Sequence, residues 1–191
     1  FGVVIAPTGA GKSMALVHLG AQAIKEDKTV IHYTLELSDT IVASRYDSCI
    51  TGIPLRDLFN RKDDIYEEIK DLNGQLIVKE YPTKSAGVET LRNHLEKLRQ
   101  RDILPDMLIV DYADLLRAKG KNDEKRHQLE SIYEELRSLA QEFKCPLWTA
   151  SQTNRSGLNA EVITMEAISE AFNKCFVADF IFSISRTIQH K

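Results

Sequence analysis

The chain has 191 residues, 43% of them hydrophobic, which is enough to bury the core of one globular domain. A net charge of −3 excludes a general basic footprint, so any nucleic-acid contact must be local. No stretch approaches the roughly 18 apolar residues of a membrane span, and the brief apolar start, FGVVIA, lacks the charged leader of a signal peptide.

The first predicted element is a strand, GVVIA at 2–6, followed at once by APTGAGKS at 6–13 and a helix over 13–25. The pattern is a small residue, four others, then Gly-Lys-Ser. Gly9 and Gly11 free the backbone to curl so that successive N–H groups face phosphate oxygens. Pro7, Thr8, Gly9, Ala10, Gly11, Lys12, Ser13 and Met14 thus form a predicted nucleotide-binding loop. Lys12 supplies a cation to the terminal phosphates, the Ser13 hydroxyl reaches Mg²⁺, and the helix points its positive end at the anion. Ala6 in place of glycine makes the pattern slightly looser; the strand before and the helix after supply the context it needs.

A second strand is expected at 29–35, TVIHYTL, closed by Glu36. A carboxylate there can polarise a water opposite the γ-phosphate. The alternative is an ordinary exposed glutamate ahead of a helix cap at Ser38 or Asp39. A helix over 39–50, a strand at 75–81 and a helix over 88–101 with a Leu91, Leu95, Leu98 stripe follow. MLIVDY at 107–112 is a buried strand that places Asp111 at its C-terminal edge, where α/β sheets bind ligands. Asp111 can hold Mg²⁺ there through water, whereas Asp114 reads as a turn or capping carboxylate. The charge-dense 117–127 loop leads into a helix over 123–144, on which Leu129, Ile132, Tyr133, Leu136, Leu139, Ala140 and Phe143 recur at helical spacing. Gln152 ends the strand PLWTAS at 146–151; its amide can report the γ-phosphate or simply terminate a strand. A polar loop at 154–164 precedes a last strand, ADFIFSIS at 178–185. Cys49, Cys145 and Cys175 show no metal or disulfide spacing, five histidines form no ligand set, and Tyr112 and Trp148 read as packing residues. Strand–helix alternation of this kind predicts a doubly wound α/β sheet.

In order, APTGAGKS, YTLELSDTIVASRYDSCITGIPLRDL, LIVDYADLL, a long helix, ASQTNR and ADFIFSISR resemble the C-terminal motor domain of DnaB-type replicative helicases over nearly the whole chain. The resemblance implies an α/β fold with a RecA-like P-loop NTPase core, a mostly parallel twisted sheet flanked by helices. It implies a single domain over 1–191, cut from a longer chain whose N-terminal domain, linker and final strands lie outside it. Lys12 and Ser13 become the phosphate-loop pair, Glu36 the general base, Asp111 the metal-associated carboxylate, and Arg45 a structural arginine. Gln152 takes the strand-end position that couples the γ-phosphate to DNA loops, with Asn154 and Arg155 beside it. ATP and Mg²⁺ are the implied cofactors, with hydrolysis at subunit interfaces of a hexameric homo-oligomeric ring that translocates on single-stranded DNA. A primase or loader is an implied partner, and the cytoplasm of a bacterial or phage-infected cell the implied location. Candidate DNA contacts are Arg117, Lys119, Lys121, Lys125 and Arg126 on 117–127, which also reads as a solvated loop, and Arg155 on 154–170.

Two departures stand out. Family members carry a basic pair, the trans-acting finger, beyond an ADFIFSISR-like segment, and this chain stops at Lys191; Arg186 is not assigned to that role. Ser169 and Glu170 stand where the family usually has an arginine before its glutamate. A RecA-like recombination or repair ATPase, a regulatory ATPase ring indifferent to DNA, and a nucleotide-binding switch are the alternative readings.

Overall fold

Successive residues of a strand point to opposite faces, and in this chain both faces of the inner strands are covered by apolar side chains. The computed structural model describes residues 1–119, 125–153 and 176–185. Six strands form one sheet: β1 (Gly2–Ala6), β2 (Thr29–Thr34), β3 (Gln75–Glu80), β4 (Met107–Asp111), β5 (Leu147–Gln152) and β6 (Phe180–Ser183). Their order is β3-β2-β4-β5-β1-β6, and every pairing is parallel. Five α-helices accompany them: α1 (Lys12–Lys25), α2 (Asp39–Thr51), α3 (Lys62–Ile69), α4 (Val88–Arg99) and α5 (Lys125–Phe143). No helix among the described residues is long and apolar enough to cross a membrane.

The alternation along the strands divides the core in two. Val3, Ile5, Ile31, Tyr33, Leu108, Val110 and Leu147 face α4 and α5, where Leu91, Leu95, Leu136 and Leu139 meet them. Val4, Val30, Ile109 and Ala150 face the other way, onto Leu16, Val17 and Ile24 of α1 and Val42 and Tyr46 of α2. Each fully buried leucine contributes roughly 1.5–3 kcal/mol, so both layers are needed to hold the sheet. The predicted stripes on α4 and α5 are the ones that pack inward.

Two elements differ from expectation. α3 has no buried residue; its apolar positions are too few to make a readable stripe. Acidic residues in its first turn and the Arg61–Asp64 pair at 2.6 Å support it instead. β6 reads as a buried strand, yet all four of its residues are exposed, because it lies at the edge of the sheet beyond β1. Residues 125–127, which fall both in the charged 117–127 stretch and in the helix expected over 123–144, are helical and belong to α5.

His32 on β2 is fully buried and shares a 3.0 Å hydrogen bond with Tyr46 on α2. Burial first, and the Arg45 charge second, push its pKa down to about 3, so the ring stays neutral. A base depressed on folding contributes stability that is present above its unfolded pKa and lost as pH falls toward the folded one. Denaturant titrations are therefore expected to show a loss of up to about 2 kcal/mol between pH 7 and pH 5. His32→Gln should flatten that slope; an unchanged slope in the variant would assign the acid sensitivity elsewhere.

Candidate nucleotide site

The loop between β1 and α1 is built by two glycines that adopt left-handed backbone angles. Gly9 has φ +74° and Gly11 φ +101°, conformations that side chains with a Cβ adopt only at a cost. Gly11 is the N-cap of α1 and offers no side chain to satisfy the first helical N–H groups. Those donors and the helix dipole are therefore left for an anion. Ala10 N donates to the Pro7 carbonyl at 3.2 Å, closing the turn. Lys12 folds back over it, its Nζ donating to Pro7 O at 3.3 Å and lying 5.8 Å from the centre of the Tyr112 ring. Burial holds the Lys12 pKa below the ordinary lysine value, against the opposing charges of Glu36, Asp111 and Asp114.

Parallel register brings the polar residues to one edge. Thr34 pairs with Asp111 across β2 and β4, and Ala6 pairs with Gln152 across β1 and β5. Since β2, β4, β5 and β1 are neighbours in that order, Glu36, Asp111, Gln152 and the loop lie along the carboxyl ends of adjacent strands, the usual ligand edge of such sheets. Glu36 and Gln152 are exposed. The Gln152 amide donates to the Thr8 hydroxyl, so this side chain touches the loop directly.

Asp111 is fully buried, and neither carboxylate oxygen has a hydrogen-bond partner of normal geometry among the described residues. Burial raises its pKa, with the Glu36 charge adding; the Ser13 hydroxyl and the Arg45 and Lys12 charges act the other way. An uncompensated buried carboxylate is costly, and two free oxygens beside a serine hydroxyl suit a hydrated divalent cation. The residues present fit Mg²⁺.

Asp114 accepts a hydrogen bond from Tyr133 Oη at 2.9 Å, consistent with a structural carboxylate. Tyr112, read from sequence as packing, does pack against the core layer under α1 and α2, and its ring also lies near the Lys12 ammonium. Trp148 does pack, against Phe182. Of the cationic candidates, Lys119 pairs with Glu135 at 3.0 Å while remaining 63% exposed, and Arg117 donates its backbone N–H to Ala86 O at 2.8 Å. Lys121, Arg155, Asn154, Ser169, Glu170 and Arg186 lie outside the described residues.

A parallel sheet with a phosphate loop after its first strand, a buried carboxylate two strands away and polar side chains along the same edge defines a P-loop NTPase with a RecA-like core. The chain matches the family model of the DnaB-like helicase C terminal domain over residues 1–161, and it belongs to that family. It is similar to the DnaB-like replicative helicase of Enterobacteria phage T4, 29% identical over 198 residues that cover 97% of this chain and 42% of that protein. With the replicative DNA helicase DnaB of Helicobacter pylori it shares 28% identity over 151 residues, 76% of this chain and 31% of the relative. The chain thus spans less than half the length of these relatives. Among solved structures, an isolated ATPase domain superposes with TM-score 0.81 at 18% identity, covering 97% of this chain and 69% of that one. A DnaB-like replicative helicase described with its primase interactions gives TM-score 0.80 at 17% identity, over 96% of this chain and 46% of that one. At that identity the likeness supports the fold.

Proposed function

We propose that this chain is the ATP-hydrolysing motor of a replicative DNA helicase, acting in the cytoplasm as part of a ring of identical subunits. The observation that carries the reading is the alignment of the phosphate loop, Asp111, Glu36 and Gln152 along one sheet edge. The loop N–H groups and Lys12 bind and orient the triphosphate. Ser13 and Asp111 would hold Mg²⁺, whose charge would offset that of the phosphates. Glu36 takes a proton from the attacking water as general base. Gln152, already bonded to the loop at Thr8, reports the presence or loss of the γ-phosphate. Glu36 and Gln152 are exposed, which leaves that side open for a cation from a neighbouring subunit to complete the site.

Arg117, Lys119, Lys121, Lys125, Arg126 and Arg155 are the proposed contacts to the single-strand backbone. The Lys119–Glu135 pair is a surface pair worth little, so a phosphate can displace the carboxylate. A ring multiplies a few such contacts per subunit, and salt weakens them. The family match favours this function over a recombination ATPase or a regulatory ring. The full-length protein is expected to separate a forked DNA duplex only with ATP present. A fork left intact under those conditions, by protein that hydrolyses ATP, would count against the motor.

A further inference from the structure

We propose that Thr83 and Lys84, on the turn between β3 and α4, are positioning residues that tie the Glu36 turn to the segment leading into the 117–127 loop. This rests on Glu36 as the base and on that loop as a DNA grip.

The backbone on both sides of Glu36 is pinned. Leu35 N donates to Asp111 O at 2.9 Å. On the far side, the buried Thr34 hydroxyl donates to Leu37 O at 2.7 Å and accepts from Leu37 N at 3.2 Å. A further bond comes from a residue 48 positions away: Thr83 Oγ1 donates to Leu35 O at 2.8 Å. One hydroxyl on the β3–α4 turn thus holds the peptide just ahead of the proposed base.

The next residue faces the other way. Lys84 Nζ donates to Asp114 O at 2.8 Å and Leu116 O at 2.7 Å, and its backbone N–H donates to Leu115 O at 2.9 Å. A single residue therefore holds three successive carbonyls of the segment between Asp111 and the basic loop. It does so at φ +60°, a left-handed angle that a residue with a Cβ adopts only against a steric cost. Arg117, the first residue of the loop, donates its N–H to Ala86 O at 2.8 Å. A Cβ added at Gly87 would come within 2.9 Å of Arg117 O, so the two backbones are in close contact. The turn is itself closed, with Ser85 donating to Pro82 O from its backbone N–H at 3.0 Å and from its hydroxyl at 2.6 Å.

A displacement of 113–117 by nucleic acid on the loop must either break these bonds or carry the 82–87 turn with it. The second course moves Thr83, and with it the Leu35 carbonyl and Glu36. The turn is then a mechanical tie between strand grip and hydrolysis, where a plain buttress would serve only folding.

The test uses the full-length protein, with steady-state ATP turnover measured with and without an oligo-dT strand, alongside thermal midpoints. Thr83→Val is expected to lower kcat about three- to tenfold with KM for ATP within about twofold, and Thr83→Ser to recover most of it. Lys84→Met is expected to keep DNA-free turnover within about twofold and to lose at least half of the stimulation by the strand. Wild-type behaviour in both variants, with Glu36→Gln inactive, would overturn the proposal while leaving Glu36 as the base. A slow Thr83→Val beside a fully stimulated Lys84→Met would overturn the tie to the loop. So would a loss that tracks a lowered midpoint and that Thr83→Ser does not restore, since that is general destabilisation. Normal turnover in Glu36→Gln, or a wild type indifferent to the strand, removes the reading beneath the proposal and the proposal with it.

Discussion

Lys12→Ala in the full-length protein is expected to abolish ATP turnover, lowering kcat/KM by about a thousandfold or more. Lys12 is half-buried, and the hydrogen bond it makes to Pro7 O is long, at 3.3 Å. A weak neutral partner leaves the ammonium ready to transfer to phosphate oxygens. Its surroundings sharpen the effect: Glu36, Asp111 and Asp114 all act on it. Without the lysine, the negative charge of those three carboxylates would act on a triphosphate with no ammonium in the loop to offset it. Lys12→Arg should not rescue, since a planar guanidinium needs more room than the curled loop gives a compact ammonium. Steady-state turnover and nucleotide-binding titrations check both points. Normal turnover in Lys12→Ala would refute the loop assignment.

Glu36→Gln should separate binding from chemistry. The substitution keeps shape and removes the proton acceptor, so kcat should fall about a hundred- to ten-thousandfold. KM for ATP should stay within about threefold, because Glu36 lies at the end of β2, whereas the loop proposed to hold the phosphates follows β1, three strands along. Single-turnover kinetics would locate the loss in the hydrolytic step. A variant with wild-type kcat would return Glu36 to the status of an exposed residue before a helix cap. That cap is real, since Ser38 accepts from Ile41 N at 3.3 Å.

The strands and the loop were legible because their signals are local. GVVIA, TVIHYT and MLIVD are short aliphatic runs, and burial on both faces of a parallel sheet leaves that pattern in the chain. The glycine spacing of the phosphate loop carries its backbone requirement in the sequence itself, and both Gly9 and Gly11 do take positive φ. Asp111 was legible as a strand-end carboxylate, but its full burial, with no hydrogen-bond partner of normal geometry for either oxygen among the described residues, depends on which strands flank β4 and was not. Tyr112 beside Lys12, and the Thr83 and Lys84 bonds, join segments far apart in the chain, for which no spacing rule exists. α3 escaped because charge and local pairs, not a buried stripe, support it. β6 looked like core because its residues are apolar; its place at the sheet edge is a matter of topology. Nearness of Glu36 to Asp111 became visible only through the Thr34–Asp111 register.

The most direct measurement is ATP turnover by the full-length protein, with and without single-stranded DNA, over a range of protein concentration. Strong stimulation that rises cooperatively with concentration is expected of a ring-forming DNA motor whose sites are completed between subunits. Turnover indifferent to DNA at every concentration would contradict the motor and favour a regulatory ATPase ring.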